Sequence, residues 1–137
     1  MGEDRRGDAG VALIAAGGVA GAGVAAVDEA RERGVRAGLV KLRAIRPFPA
    51  ARLRAALSGV RAFCVVDRSV SFGWNCGPMF VEARAALGGV GERACFSAIG
   101  GLGGADISVA DFSSAIARLD GIKDAPGVYD TLWFMKD

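Results

Sequence analysis

The residue types that could do chemistry in this chain are few, and the missing ones narrow the field first. None of the 137 residues is histidine. That excludes a Ser-His-Asp or Cys-His triad built from this chain, and it removes the commonest metal ligand. The cysteines Cys64, Cys76 and Cys95 are odd in number and widely spaced. They read as reduced thiols of a cytosolic protein, not as a disulfide framework. No pair has the CxxC spacing that a zinc or cysteine-ligated iron–sulfur site needs. Cys76 lies in "SFGWNCG" beside Trp74. A nucleophilic cysteine needs an activating base or cation. Arg68 is the obvious candidate nearby, and an unreactive thiol is the expectation.

Charged residues and glycines that close apolar runs come next. "LRAIRPFPAARLRAAL" ends an apolar run at Arg46, then inserts Pro47-Phe48-Pro49. Proline cannot donate to a ladder and pushes its predecessor toward extended geometry. A strand is therefore predicted to end near Arg46 and a helix to start near Pro49. "AFCVVDRS" ends on Asp67 and Arg68. Asp67 and Arg46 are expected to pair, either as a water-exposed ion pair worth little or as part of an active or interface edge. "GGVAGAG" carries glycines at 17, 18, 21 and 23. That is the wrong spacing for a G-x-G-x-x-G dinucleotide turn, and the later acidic residue is missing. Tight turning and close helix–sheet packing are the expectation. The glycines of Gly100 to Asp106, which include "GLGGAD", offer either an anion cradle of backbone N–H groups or, as we expect, a turn.

These residues need a frame. Composition is 52% hydrophobic, enough for a core and against disorder. Net charge is +2 from 17 basic and 15 acidic side chains, too balanced for the basic footprint of nucleic-acid binding. Ala9 to Val27 holds nineteen residues without a charge, a length that suggests a membrane span. Its glycine-broken middle reads better as strand, turn and helix, so no membrane partner is expected.

Four short apolar runs, "VALIAAGG", "VRAGLVKLRAI", "AFCVVDRS" and "ACFSAIGGLGG", alternate with helical patterns. Gly34 ends the first helix as a C-cap. Ser108, with Asp111 three residues on, opens the fourth in a capping-box-like position. The alternation predicts βαβ units, a mostly parallel sheet, and three α/β/α layers. The boundaries are a loose tail over 1–8, one α/β domain over 9–121, and an irregular, aromatic tail over 122–137. Tyr129, Leu132, Trp133, Phe134 and Met135 make the stretch from Pro126 to Asp137 a docking element, either on its own domain or on a partner. The carboxyl ends of parallel strands are where ligands and partners meet such a sheet. They should gather Gly17, Gly18, Arg46, Pro47, Asp67, Arg68, Gly100 and Gly101 on one edge.

In order, the blocks Arg46-Pro47-Phe48-Pro49, Asp67-Arg68, Ser71-Phe72-Gly73 and Gly101-Leu102-Gly103-Gly104 resemble a segment of the 2-oxoacid:ferredoxin oxidoreductases, pyruvate synthase being the familiar member. The segment follows the thiamine-fold domain of their alpha subunit, and the resemblance covers about Val11 to Leu119. Ala105-Asp106 departs from an Arg-Asp pattern, so a contact made by that arginine is not expected here. The resemblance implies a fold like the C-terminal domain of transketolase, with four to five strands and one edge strand antiparallel. It implies an oxidoreductase complex that turns a 2-oxoacid and coenzyme A into acyl-CoA and CO2 with electrons to ferredoxin. In that complex this domain would be a non-catalytic contact domain.

The chain has no "GDG…NN" motif, its sole asparagine being Asn75. No catalytic, cofactor or metal residue is therefore expected within it. Thiamine diphosphate, magnesium and iron–sulfur clusters would lie in the other subunits or domains, which are its expected partners, with a homo-oligomer possible. The expected setting is cytoplasmic. Contact candidates are Gly17, Gly18, Arg46, Pro47, Asp67, Arg68, Phe72, Gly73, Gly101, Gly103, Gly104, Trp133 and Phe134. Met1 stands just ahead of the domain, so the expectation is a truncated alpha subunit or a separately encoded small one. Two alternatives remain. One is the C-terminal domain of a transketolase or 2-oxoacid dehydrogenase E1 component. The other is a free-standing α/β module that binds an anion or a protein.

Overall fold

The computed structural model describes residues 2–4, 9–17, 20–43, 48–71, 75–87, 93–101 and 106–134. The apolar runs become strands because each lies buried on both faces, as parallel strands covered by helices do. They are β2 (Val11–Ala16), β3 (Ala37–Leu42), β4 (Ala62–Asp67) and β5 (Ala94–Ile99). Between and after them run α1 (Ala20–Glu32), α2 (Ala50–Ala56), α3 (Pro78–Ala86) and α4 (Val109–Ile122). Short edge strands complete the sheet: β1 (Gly2–Asp4), β6 (Gly127–Val128) and β7 (Leu132–Trp133). The order is β1-β3-β2-β4-β5-β6, with β7 also on β5. All pairs are parallel except β1 with β3. The expected three-layer α/β architecture is present.

Strand periodicity divides the core into two faces. Val11, Leu13 and Ala15 of β2 pack with Cys64 and Phe96 beneath α1 and α4. Ala12 and Ile14 pack with Phe63, Val65 and Cys95 beneath α2 and α3. Helix α4 places Phe112, Ala115, Ile116 and Leu119 inward, a 3.6-residue stripe. Its capping box forms as expected: the Asp111 N–H donates to Ser108 Oγ at 3.1 Å, and the Ser108 N–H to Asp111 Oδ2 at 2.9 Å. On α1 the inward residues are mostly small, and a Cβ at Gly23 would sit 3.3 Å from Leu39 Cδ1. This glycine therefore serves close packing, as expected. The uncharged stretch from Ala9 to Val27 is split between β2 and α1. No helix among the described residues is long and apolar enough to cross a membrane.

Three expectations need correction. The strand predicted to end near Arg46 ends at Leu42. Leu42 pairs with Ala16, the last residue of β2, and Gly17 then turns away with φ +68, so β2 no longer runs alongside. The tail expected to be loose over 1–8 contains β1, where Gly2, Glu3 and Asp4 pair with Lys41, Val40 and Leu39. Backbone groups along an exposed strand edge recruit a partner whatever its side chains. The residues after 121 were expected to be irregular, yet they supply β6 and β7 along β5.

Candidate functional site

The parallel register brings the strand ends together: Ala16 lies opposite Leu42, and Asp67 opposite Ile99. Among the described candidates, Gly17, Asp67, Arg68 and Gly101 therefore share the carboxyl edge. Gly18, Arg46, Pro47, Phe72, Gly73, Gly103 and Gly104 lie outside the described residues, and so does the expected Arg46–Asp67 contact. Gly17 and Gly101 both adopt positive φ, +68 and +73, a backbone that suits glycine and fits the turn reading at both places. The chain leaves β2 toward α1 on one face and leaves β4 toward α3 on the other. The crevice between these adjacent strands is the topological switch point of the sheet.

Asp67 is the most informative residue at this edge. It is only 3% exposed, so it is not half of a water-exposed ion pair, and it does not present itself to a partner. Its Oδ1 accepts the Met79 N–H at 3.1 Å and its Oδ2 the Phe80 N–H at 3.3 Å. These are first-turn donors of α3, which an α-helix leaves without internal partners. The residue at the N-cap is Gly77, followed by Pro78, and it brings no capping side chain. Asp67 supplies the missing cap from β4, next to the positive end of the helix dipole. Gly77 makes room for this, since a Cβ there would land on the Asp67 carboxylate. The Gly77 N–H donates to Ser97 Oγ at 3.0 Å, fixing the loop from β5. Burial raises the Asp67 carboxyl to about 6, against the opposing pull of the Met79 and Phe80 hydrogen bonds.

Beside this cluster, a cavity of about 270 Å³ opens between α3 and the C-terminal segment, lined in part by Asn75, Cys76, Phe80, Arg84 and Thr131. The Cys76 thiol is raised by burial and by the Asp67 carboxylate, and Arg84 only partly offsets this. The cation that acts on it is Arg84, not Arg68. These effects favour the protonated thiol. Burial also raises the Cys95 thiol to about 11, and that of Cys64 well above its ordinary value. No group of three or more potential metal-ligating side chains occurs among the described residues.

The C-terminal segment docks on its own domain as far as Phe134, and Met135 lies outside the described residues. Tyr129 and Leu132 pack against the core, and Phe134 is 8% exposed. Phe134 is thus a core residue and not an interface candidate. A Cβ at Gly100 would approach its Cδ2 to 2.9 Å, so Gly100 is the seat of its ring. Trp133 alternates outward and is 36% exposed. Arg118 fastens the segment: its guanidinium lies 4.3 Å over the Phe96 ring, and its Nη1 donates to the Asp130 carbonyl at 2.7 Å. Gly77, Ser97 and Arg118 were not among the sequence candidates, and Gly100 was named only as a sheet-edge glycine. A helix opening on Gly-Pro without a Ser, Thr, Asp or Asn cap was the available signal that another element must supply an acceptor.

Residues 9–112 match the family described as pyruvate:ferredoxin oxidoreductase core domain II. The chain belongs to this family. It is 47% identical over 108 residues to the NADH-dependent phenylglyoxylate dehydrogenase subunit alpha of Aromatoleum evansii, covering 78% of this chain and 26% of that protein. It is 32% identical over 121 residues to the pyruvate synthase subunit PorA of Methanocaldococcus jannaschii, covering 88% and 29%. It is 38% identical over 105 residues to the ketoisovalerate oxidoreductase subunit VorA of Pyrococcus horikoshii, covering 76% and 26%. The core domain II chain thus spans between a quarter and a third of the length of these curated relatives. Its fold is similar to part of the 2-oxoglutarate:ferredoxin oxidoreductase of Magnetococcus marinus. There the TM-score is 0.63 at 19% identity, over 82% of this chain and 18% of that one.

Proposed function

We propose that this core domain II chain is a contact and support domain of a cytoplasmic, thiamine-dependent 2-oxoacid oxidoreductase complex, and that the reacting groups belong to other domains or subunits. The carrying observation is the use made of the one buried carboxylate among the described residues. Asp67 is spent on capping α3, where it accepts two backbone N–H groups. The three thiols are all raised above their ordinary values. Raised thiols stay protonated and weakly nucleophilic at neutral pH, and both oxygens of Asp67 are committed to backbone N–H groups.

The relatives are named for phenylglyoxylate, pyruvate and ketoisovalerate. Different 2-oxoacids on one domain type fit a substrate choice made elsewhere. Thiamine diphosphate, magnesium, iron–sulfur clusters and coenzyme A would accordingly be handled by partner subunits. Arg46, Phe72 and Trp133 are the side chains we assign to contacts with them.

Reconstitution tests this reading. The chain alone should show no saturable binding of thiamine diphosphate with magnesium in calorimetry. It should co-elute with a thiamine-fold subunit from the same genome. Micromolar binding of thiamine diphosphate to the isolated chain would overturn the assignment, and so would failure to associate with any such subunit.

A further inference from the structure

A second cavity, of about 250 Å³, lies at the opposite, amino-terminal ends of β2 and β4. Its wall is formed by Gly10 before β2, the turn from Arg33 to Arg36 after α1, Arg61 before β4, and Asp120 and Lys123 at the end of α4. Four of the lining side chains are cationic, Arg33, Arg36, Arg61 and Lys123, and Asp120 alone is anionic. Two of the cations are compensated. Lys123 Nζ is 2.8 Å from Asp120 Oδ1, and Arg61 Nη1 is 2.5 Å from Asp124 Oδ1. The guanidinium groups of Arg33 and Arg36 are exposed and make no hydrogen bond or ion pair with any described residue.

The helix ends explain only part of this charge. Helices α1 and α4 both finish here, and each C-terminus carries roughly half a negative charge. Four cations against Asp120, Asp124 and two helix ends leave about one positive charge in excess. The concavity holds that excess on both sides of a space large enough for a tetrahedral oxyanion and its waters. No aromatic ring lines it, so it offers no stacking surface for a nucleobase. Arginine forks match the geometry of phosphoryl oxygens and can bind them in pairs.

We propose that this cavity binds a phosphoryl dianion, held between the Arg33–Arg36 turn and the Arg61–Lys123 side. The inference goes beyond the proposed place of the chain in an oxidoreductase and does not depend on it. The group could arrive as free phosphate or as the end of a phosphate monoester. Titrations of the full chain with inorganic phosphate and with glycerol phosphate, followed by amide chemical shifts and calorimetry, separate the two. Sodium chloride at matched ionic strength is the control.

Saturable binding in roughly the millimolar range or tighter, with shifts centred on Gly10 and Gly34 to Arg36, is expected. Tighter binding of glycerol phosphate assigns the site to a monoester, and equal or weaker binding assigns it to free phosphate. Arg33→Gln with Arg36→Gln should weaken binding by about tenfold or more, with the ligand-free thermal midpoint unchanged, because both side chains are exposed. Arg33→Lys with Arg36→Lys, which keeps the charge, should retain part of the affinity. No saturable response, the same response to chloride, or undiminished binding in the glutamine variant overturns the proposal.

Discussion

The Asp67 carboxylate sits where two opposing effects can be weighed. Two N–H donors and a helix N-terminus favour its charge, while burial disfavours it, and burial wins, raising the carboxyl from 3.8 to about 6. Because the folded value lies above the unfolded one, its contribution to stability is full below about 3.8 and is lost as pH rises through about 6. Asp67→Asn keeps an acceptor oxygen without the charge. Relative to that variant, the wild type should therefore gain on the order of 2 kcal/mol between about pH 7 and pH 4. Paired denaturant titrations across that range measure the difference, and a flat difference would refute the buried-carboxylate account. Gly77→Ala should cost roughly 2 kcal/mol or more, because its methyl lands on Asp67. Gly77 has φ −84 and ψ 156, which alanine adopts freely, so the cost is steric. Asp67→Ala with Gly77→Ala should then destabilise by less than the sum of the single changes, and simple additivity would show that the two sites do not touch.

At the scale of elements, the C-terminal segment behaves as part of the fold. Phe134 fills the space over Gly100, and its N–H donates to the Ile99 carbonyl at 2.8 Å. Phe134→Ala should cost about 3 kcal/mol. Removing the chain after Ala125 should lower the thermal midpoint clearly. An unchanged midpoint would mean that the segment is held only by a partner. Trp133→Ala should cost less stability than Phe134→Ala and weaken assembly, because Trp133 is far more exposed than Phe134.

What the sequence disclosed follows the range of each interaction. The four long strands are continuous apolar runs, and the Ser108–Asp111 cap spans three residues, so both are legible locally. β6 and β7 have two residues each and exist because the edge of β5 is there to receive them. The aromatic content of the segment showed that it must cover something; which side of Phe134 and Trp133 faces inward depended on the register against β5. Asp67 read as an edge charge because its true partners, the first amides of α3, lie twelve and thirteen residues away. The second basic cavity assembles residues from four separate parts of the chain, and no local pattern announces it.

At the scale of the molecule, the two edges of the sheet are finished in different ways. β1 closes one with three residues in antiparallel register. β6 and β7 close the other in two pieces; Cys95 lies opposite Val128 and Ala98 opposite Leu132, so Tyr129 to Thr131 face only Phe96 and Ser97, one residue more on the outer side. An edge of this kind has a consequence for solubility. Strand β5 is six residues, ACFSAI, without a charge or a proline, the composition that stacks readily with copies of itself. The two short pieces occupy its outer backbone groups, and the extra residue between them interrupts the regular ladder that another chain would need to extend the sheet. Losing them would uncover a template for fibril growth as well as reduce stability. The chain cut after Ala125 should therefore bind thioflavin T and scatter light on standing at temperatures where it is still mostly folded, while the full chain stays clear. A truncated chain that remains clear under those conditions would show that the edge is harmless without its cover.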